Sequence, residues 1–216
     1  MPSHLSEKMK QELARHHVLP EDAGTMLTAM RTNKIDALHD QLTGLANRRK
    51  LESELEKYLT REHKRAEKLF VMYMDLNKFK QINDTYGHSI GDNLLKNTSK
   101  HLKEALRPDD ILSRLGGDEF VALISLSDSA SEEQIRDELA GITERLERAV
   151  YTARCELRDE LAGMTGLSNN PPLVVGEQER YLSAGFTEVR SDDTASELLH
   201  RADAEMYKMK HGGSVV

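Results

Sequence analysis

Cysteine is all but missing, with one residue, Cys155, in 216. A lone thiol forms no internal disulfide, and such a chain suits a reducing compartment. Long apolar runs are missing as well. The longest uninterrupted one is Leu69 to Met74, far short of the roughly 20 residues that a bilayer-spanning helix needs. Met1 to His17 lacks the apolar core of a signal peptide, so the expectation is a cytoplasmic protein with no membrane span. Positive charge is outnumbered: 30 Lys and Arg against 37 Asp and Glu leave a net charge of −7, with a pI near 5.7. That balance opposes coating DNA or an anionic membrane, because counter-ion release would work against it. No GxxxxGK[ST] or HExxH occurs, which removes P-loop nucleotide sites and zinc proteases from consideration. There is no internal repeat and no low-complexity tract.

What is present is charge and helical periodicity. Apolar residues make up 38% and charged residues 31%, a ratio that points to long exposed helical faces. Residues 1–39 place Leu5, Met9 and Leu13 at helical spacing, and Pro20 with Glu21 and Asp22 opens a second helix. Leu27, Met30, Ile35 and Leu38 form a thin apolar stripe there. Two readings stay open for this segment, an arm that pairs with a partner and a helix packed on its own domain. His4, His16, His17 and His39 lack metal-site spacing and read as surface histidines.

After a turn at Thr43-Gly44, residues 47–66 read as an amphipathic helix with Leu51, Leu55 and Leu59 four apart. Leu69 to Met74 suits a central strand buried on both faces, with Asp75 at its carboxyl end. A helix runs from about Ser89 to Arg107 and stops at Pro108. Residues 111–115 and 119–124 are strand-like, and Gly116-Gly117 between them signals a tight hairpin. A long charged helix over 131–162, a loop over 163–179, a strand over 181–189 and a helix over 194–210 complete the chain. That order implies an α+β fold with a central, mainly antiparallel sheet flanked by helices.

If the first strand neighbours the hairpin, Asp75, Asp118 and Glu119 converge at one sheet edge. Their mutual repulsion asks for a cation, and hard oxygen ligands in small number point to Mg²⁺. The alternative is three separate, solvated turn acids. Between them, Asn77 to Asp92 is rich in groups that hold phosphate and a base. Lys80 offers a point charge to a phosphate, and Asn83 with Asp92 offers the acceptors and donors that a guanine edge demands. The stretch alone is equally compatible with a capped surface loop.

Arg114-Leu-Gly-Gly-Asp-Glu-Phe120 resembles the defining motif of GGDEF-domain diguanylate cyclases. Four further blocks stand in that family's order. They are Asp40-Gln-Leu-Thr-Gly-Leu-Ala-Asn-Arg-Arg49, the run from Asp75 to Asp92, Tyr181-Leu-Ser-Ala-Gly-Phe186, and Arg201 to Lys210. The resemblance covers roughly 40–213 and implies a palm-like domain of the nucleotidyl cyclase and polymerase type. It divides the chain into an N-terminal helical segment, 1–39, for dimerisation or regulation, and a catalytic domain, 40–216.

The activity implied is condensation of two GTP into cyclic di-GMP with release of pyrophosphate, across a homodimer in which each domain holds one GTP. Carried over by position, Asp75, the Leu76 carbonyl, Asp118 and Glu119 would hold Mg²⁺, with Mn²⁺ as a substitute. Asp118 would accept the proton of the attacking 3′-hydroxyl, and Lys80 would stabilise the transferring phosphate. Phe79, Asn83, His88 and Asp92 would contact the nucleotide, and Lys210 its terminal phosphates. Arg107-Pro-Asp-Asp110 resembles the family's RxxD inhibitory site, which implies product inhibition through Arg107 and Asp110.

Two positions depart from the family pattern. Asn77 stands where many relatives have Asp, and Ser214 where an Arg is usual. The stretch 150–180 reads as an insertion, and Cys155 as a thiol without chemistry. The rival readings are a catalytically weak domain that serves as a cyclic di-GMP receptor, and a helical adaptor that recruits a regulatory partner through residues 1–39.

Overall fold

The run from Leu69 to Met74 carries no polar alternation, so a strand built from it has to be covered on both faces. In the computed structural model, which describes residues 37–60, 67–165 and 180–211, that strand lies inside the sheet. The chain divides into two units, Met1–Leu38 and His39–Val216, and the sheet belongs to the second. The helical arm read over 1–39, apart from its last residues, lies outside the described residues, as does Ser214.

In chain order the elements are α1 (Arg48–Thr60), β1 (Glu67–Leu76), α2 (Phe79–Tyr86), α3 (His88–Ala105), β2 (Ile111–Gly116), β3 (Glu119–Ser127), α4 (Glu132–Thr165), β4 (Leu182–Glu188) and α5 (Ala195–Lys210). The strand order is β2-β3-β1-β4, and every pairing is antiparallel. The fold is α+β, with the split β-α-β arrangement of ferredoxin-like domains.

Alternate residues of β1 and β3 feed two separate cores. Phe70, Met72, Met74, Phe120, Ala122 and Ile124 meet Leu94 and Leu102 of α3 and Leu139 and Leu146 of α4. Val71, Tyr73, Val121 and Leu123 meet Leu51 and Leu55 of α1 and Leu198 and Met206 of α5. A helix layer therefore covers each face, which is why β1 carries no charged residue from Leu69 to Met74. Among the described residues, no helix is long and apolar enough to cross a membrane.

Several elements differ from the sequence expectation. Helix α1 ends at Thr60, and residues 61–66 lie outside the described residues. Helix α3 starts at His88 and stops at Ala105, two residues before Arg107. Helix α2 was not expected at all; it turns on buried Phe79 and Ile82, three apart. The stretch 150–180, read as an insertion, begins inside α4. Val150, Ala153, Arg154, Leu157 and Leu161 there are buried, so 150–161 is core helix, while 166–179 lies outside the described residues.

Candidate active site

Asp75 is the last polar position of β1 and stands directly opposite Glu119 of β3 on one side and Ser183 of β4 on the other. Between β2 and β3, Gly116 (φ 149°) and Gly117 (φ 52°) close the hairpin in conformations that side-chain-bearing residues rarely adopt. Asp118 follows at the tip, and its carbonyl accepts the Leu76 amide at 3.2 Å. That bond ties the hairpin tip to the end of β1. Burial first, and then the charge of Asp75, push the Asp118 carboxyl above its ordinary value. The two acids therefore sense each other at one sheet end.

A cation already answers that charge. Lys210, the last residue of α5, donates from Nζ to Asp75 Oδ1 at 2.6 Å. Glu119 faces a different neighbour, Tyr73. Burial, then the charge of Glu119 and a hydrogen bond to it, raise the Tyr73 phenol above its ordinary value. Among the described residues, no three His, Cys, Asp or Glu side chains gather where they could share a metal ion. Asp75 and Asp118 are thus a coupled pair, with Glu119 across the ladder from Asp75 and its charge also acting on Tyr73. Two carboxylates beside an ammonium fit a hard divalent cation that completes its shell with water and phosphate, and do not fit a closed protein cage.

The backbone leaving β1 is held from three directions. The Asn77 amide N–H donates to the Tyr181 carbonyl at 2.9 Å. Its side chain donates to the Arg180 carbonyl at 2.9 Å and accepts from Ser183 Oγ at 2.8 Å. Its carbonyl accepts from Arg154 Nη2 at 2.5 Å. Arg154, fully buried on α4, also lies 4.8 Å over the Tyr181 ring. Asn77 is therefore fully used as a brace. Lys78, at φ 62°, then turns the chain sharply into α2.

The residues read as nucleotide contacts lie on α2 and α3. Lys80, His88 and Asp92 are exposed, while Phe79 is buried and packs in the core beneath them. Asn83 Oδ1 is buried and has no hydrogen-bond partner among the described residues. It rests against α3 so closely that a Cβ at Gly91 would stand 1.8 Å away. Asn83 thus abuts the residue next to Asp92, and its buried acceptor is unused. An orphaned buried acceptor costs free energy unless a ligand N–H reaches it.

Arg107 and Asp110 are not part of this cluster. They precede β2, a strand length of about 17 Å from the hairpin tip, and line a cleft of about 640 Å³ together with Lys50, Lys100 and Lys103.

One feature was missed by sequence reasoning. Arg114, only 9% exposed, donates from Nη1 to both Asp40 oxygens at 2.8 and 3.0 Å. Its Nε and Nη2 donate to the Gly117 carbonyl at 3.0 and 2.7 Å. This clamp holds the tight turn that presents Asp118. Its sequence signal is an arginine inside a strand among apolar residues, a position that demands a buried anion.

Comparison with known proteins meets the same residues. The family described as "Diguanylate cyclase, GGDEF domain" matches residues 37–158, more than half of the chain. The chain belongs to the GGDEF-domain diguanylate cyclase family. It is 28% identical over 209 residues to the diguanylate cyclase DgcP of Pseudomonas aeruginosa, which covers 97% of this chain and 28% of DgcP. The chain spans between 22% and 35% of the length of three curated relatives. Among solved structures, a sensory box/GGDEF family protein from Caulobacter crescentus is 32% identical with a TM-score of 0.60, covering 82% of this chain and 99% of that one. Diguanylate cyclase SiaD of Pseudomonas aeruginosa, solved with its activator SiaC, is 26% identical with a TM-score of 0.61, covering 95% and 72%. As a GGDEF domain, the chain carries the family's signature on the β2–β3 hairpin, at the sheet end where Asp75 and Lys210 meet.

Proposed function

We propose that this GGDEF domain condenses two GTP into cyclic di-GMP, working as a cytoplasmic homodimer in which each subunit presents one GTP. Each 3′-oxygen forms a bond to the α-phosphorus of the facing GTP, the bond from that phosphorus to pyrophosphate breaks, and two pyrophosphates leave. The observation that supports this most is the coupling of Asp75 and Asp118 beside the Lys210 ammonium. Phosphoryl-type transfer needs positioned charge more than covalent chemistry.

Asp75, the Leu76 carbonyl and Asp118, with Glu119 alongside, would hold Mg²⁺, for which Mn²⁺ substitutes. When bound, it supplies a Lewis acid for the phosphate oxygens. Asp118, whose carboxyl is pushed up by burial and by Asp75, is the acceptor for the 3′-hydroxyl proton. Lys80 approaches the transferring phosphate. Lys210 gives up its contact with Asp75 to meet the terminal phosphates. Asn83 Oδ1 accepts from the guanine edge, Asp92 completes that reading, and His88 contacts the nucleotide from the start of α3. Phe79 acts through packing, as the floor beneath Asn83.

Product inhibition through Arg107 and Asp110 belongs to the same reading, as does a regulatory partner for residues 1–39. The test is to incubate purified protein with GTP and Mg²⁺ and identify the products by mass. Cyclic di-GMP that vanishes in Asp118→Ala supports the enzyme. A receptor is the second reading, favoured by the basic cleft beside Arg107. Bound cyclic di-GMP without turnover, persisting in Arg107→Ala assays at any GTP concentration, replaces the enzyme with a receptor that uses other residues. Binding lost in Arg107→Ala, again without turnover, assigns the receptor to the cleft.

A further inference from the structure

The turn that carries Arg107 is closed on itself. The Arg107 amide donates to Asp110 Oδ2 at 2.9 Å, and the Asp110 amide donates to the Arg107 carbonyl at 3.0 Å. The main chain at Arg107 is therefore set, and only its side chain chooses a partner. That side chain acts on the Asp110 carboxyl through its charge but forms its ion pair elsewhere. Its Nη2 donates to Glu138 Oε1 on α4. Glu138 has little freedom to be elsewhere, because Ile135, Leu139 and Ile142 around it are buried in the core.

The cleft beside Arg107 has a mixed lining. Lys50, Lys100 and Lys103 bring positive charge and Glu104 and Asp110 bring negative. Arg145, two turns beyond Glu138 on α4, stands off at the Ala105 carbonyl, 3.5 Å from its Nε. Glu138 is thus the acid that engages the planar fork best suited to a phosphodiester. The pair is open to water, with the two side chains 56% and 35% exposed. Such pairs are weak and exchange readily.

We propose that Glu138 is a built-in competitor for Arg107, an acid that a phosphodiester ligand must displace, so that it sets the threshold at which the cleft fills. The inference rests on the reading that the cleft at Arg107 and Asp110 takes cyclic di-GMP, and it deepens that reading by assigning a residue that weakens feedback. Either Glu138 substitution releases the Arg107 fork for the ligand. The expected gain is roughly two- to fivefold in affinity, the range that an exposed ion pair spans.

The experiment is calorimetric titration of the full chain with cyclic di-GMP, in wild type, Glu138→Gln, Glu138→Ala, Arg107→Ala and the Arg107→Ala/Glu138→Gln double variant. Tighter binding by both Glu138 variants, with no gain from Glu138→Gln once Arg107 is absent, supports the competitor. Equal affinity in wild type and both Glu138 variants, with loss in Arg107→Ala, overturns the competitor and leaves the site reading standing. A Glu138→Gln gain that persists without Arg107 also overturns it, since the acid then acts on the ligand directly. No binding in any variant overturns both the competitor and the site. GTP turnover, measured separately, keeps the catalytic reading independent of that result.

Discussion

Replacing Arg114 by Met removes the fork that joins Asp40 to the Gly117 carbonyl while keeping much of the side-chain volume. Breaking a buried ion pair by deleting one partner costs about 3–5 kcal/mol, because the other charge is left uncompensated. Asp40 is not fully stranded. Its side chain is 20% exposed, and it keeps the Thr43 amide at 2.9 Å and the Thr43 hydroxyl at 2.6 Å. The low end, about 3 kcal/mol, is therefore the expected loss. Asp40→Asn keeps the acceptor oxygen but loses the charge, for about 1–2 kcal/mol.

The pH dependence has a definite sign. Burial tends to raise the Asp40 carboxyl, but the Thr43 hydrogen bonds and the Arg114 fork outweigh it and hold it below 3.8. A depressed acid contributes stability that is full above its unfolded value and is lost as pH falls through the folded one. The difference between wild type and Asp40→Asn should therefore be complete above about pH 4 and close on further acidification. Urea unfolding at a series of pH values reads both quantities. An Arg114→Met loss under about 1 kcal/mol, or a gap to Asp40→Asn that stays constant down to the acid transition, would refute the clamp.

Asn77→Asp would remove the donor to the Arg180 carbonyl and set a carboxylate against it, so thermal unfolding should report a loss of about 1–3 kcal/mol; an unchanged midpoint would mean that Asn77 is not a brace. Gly91→Ala should leave the fold largely intact, because its new methyl meets the movable end of the Asn83 side chain at 1.8 Å. Asn83 must then swing away, and GTP affinity should fall roughly fivefold to tenfold, the worth of about one hydrogen bond. Unchanged GTP binding in that variant would remove Asn83 from the guanine site.

Much of the fold was legible in the sequence because burial writes itself into composition. Leu69 to Met74 had to be a central strand, and Gly116-Gly117 had to be a tight turn. The final helix was read over 194–210, and the structure closes its start with a reciprocal cap between Thr194 and Glu197. Helix α2 was hidden because Asn83, Asp84 and Thr85 weaken its helical signal, and Phe79 and Ile82, packed into the core, hold it. The residues of the candidate site were legible one by one, through their types and order. Their partnerships were not. Asp40 and Arg114 are 74 positions apart, and Asn77 and Ser183 are 106 apart. Nothing local in a sequence records a pairing over such separations.

The neighbours of the three acids were hidden for a similar reason. Strand alternation puts Asp75 and Glu119 on one face, but it does not say that the Glu119 charge also acts on Tyr73, two residues before Asp75 on that face. Nor does it show that Lys210 reaches Asp75 from the far end of the chain.

The sharpest single measurement is the initial rate of cyclic di-GMP formation from GTP and Mg²⁺ as a function of protein concentration, with the product identified by mass. Two GTP-bearing half-sites that must face each other give a rate per subunit that climbs with concentration and then levels off as dimers form. A rate per subunit that is flat from the lowest concentration would place the whole reaction within one subunit or a permanent assembly. No cyclic di-GMP at any concentration would contradict the assignment of Asp75, Asp118 and Lys210 to catalysis.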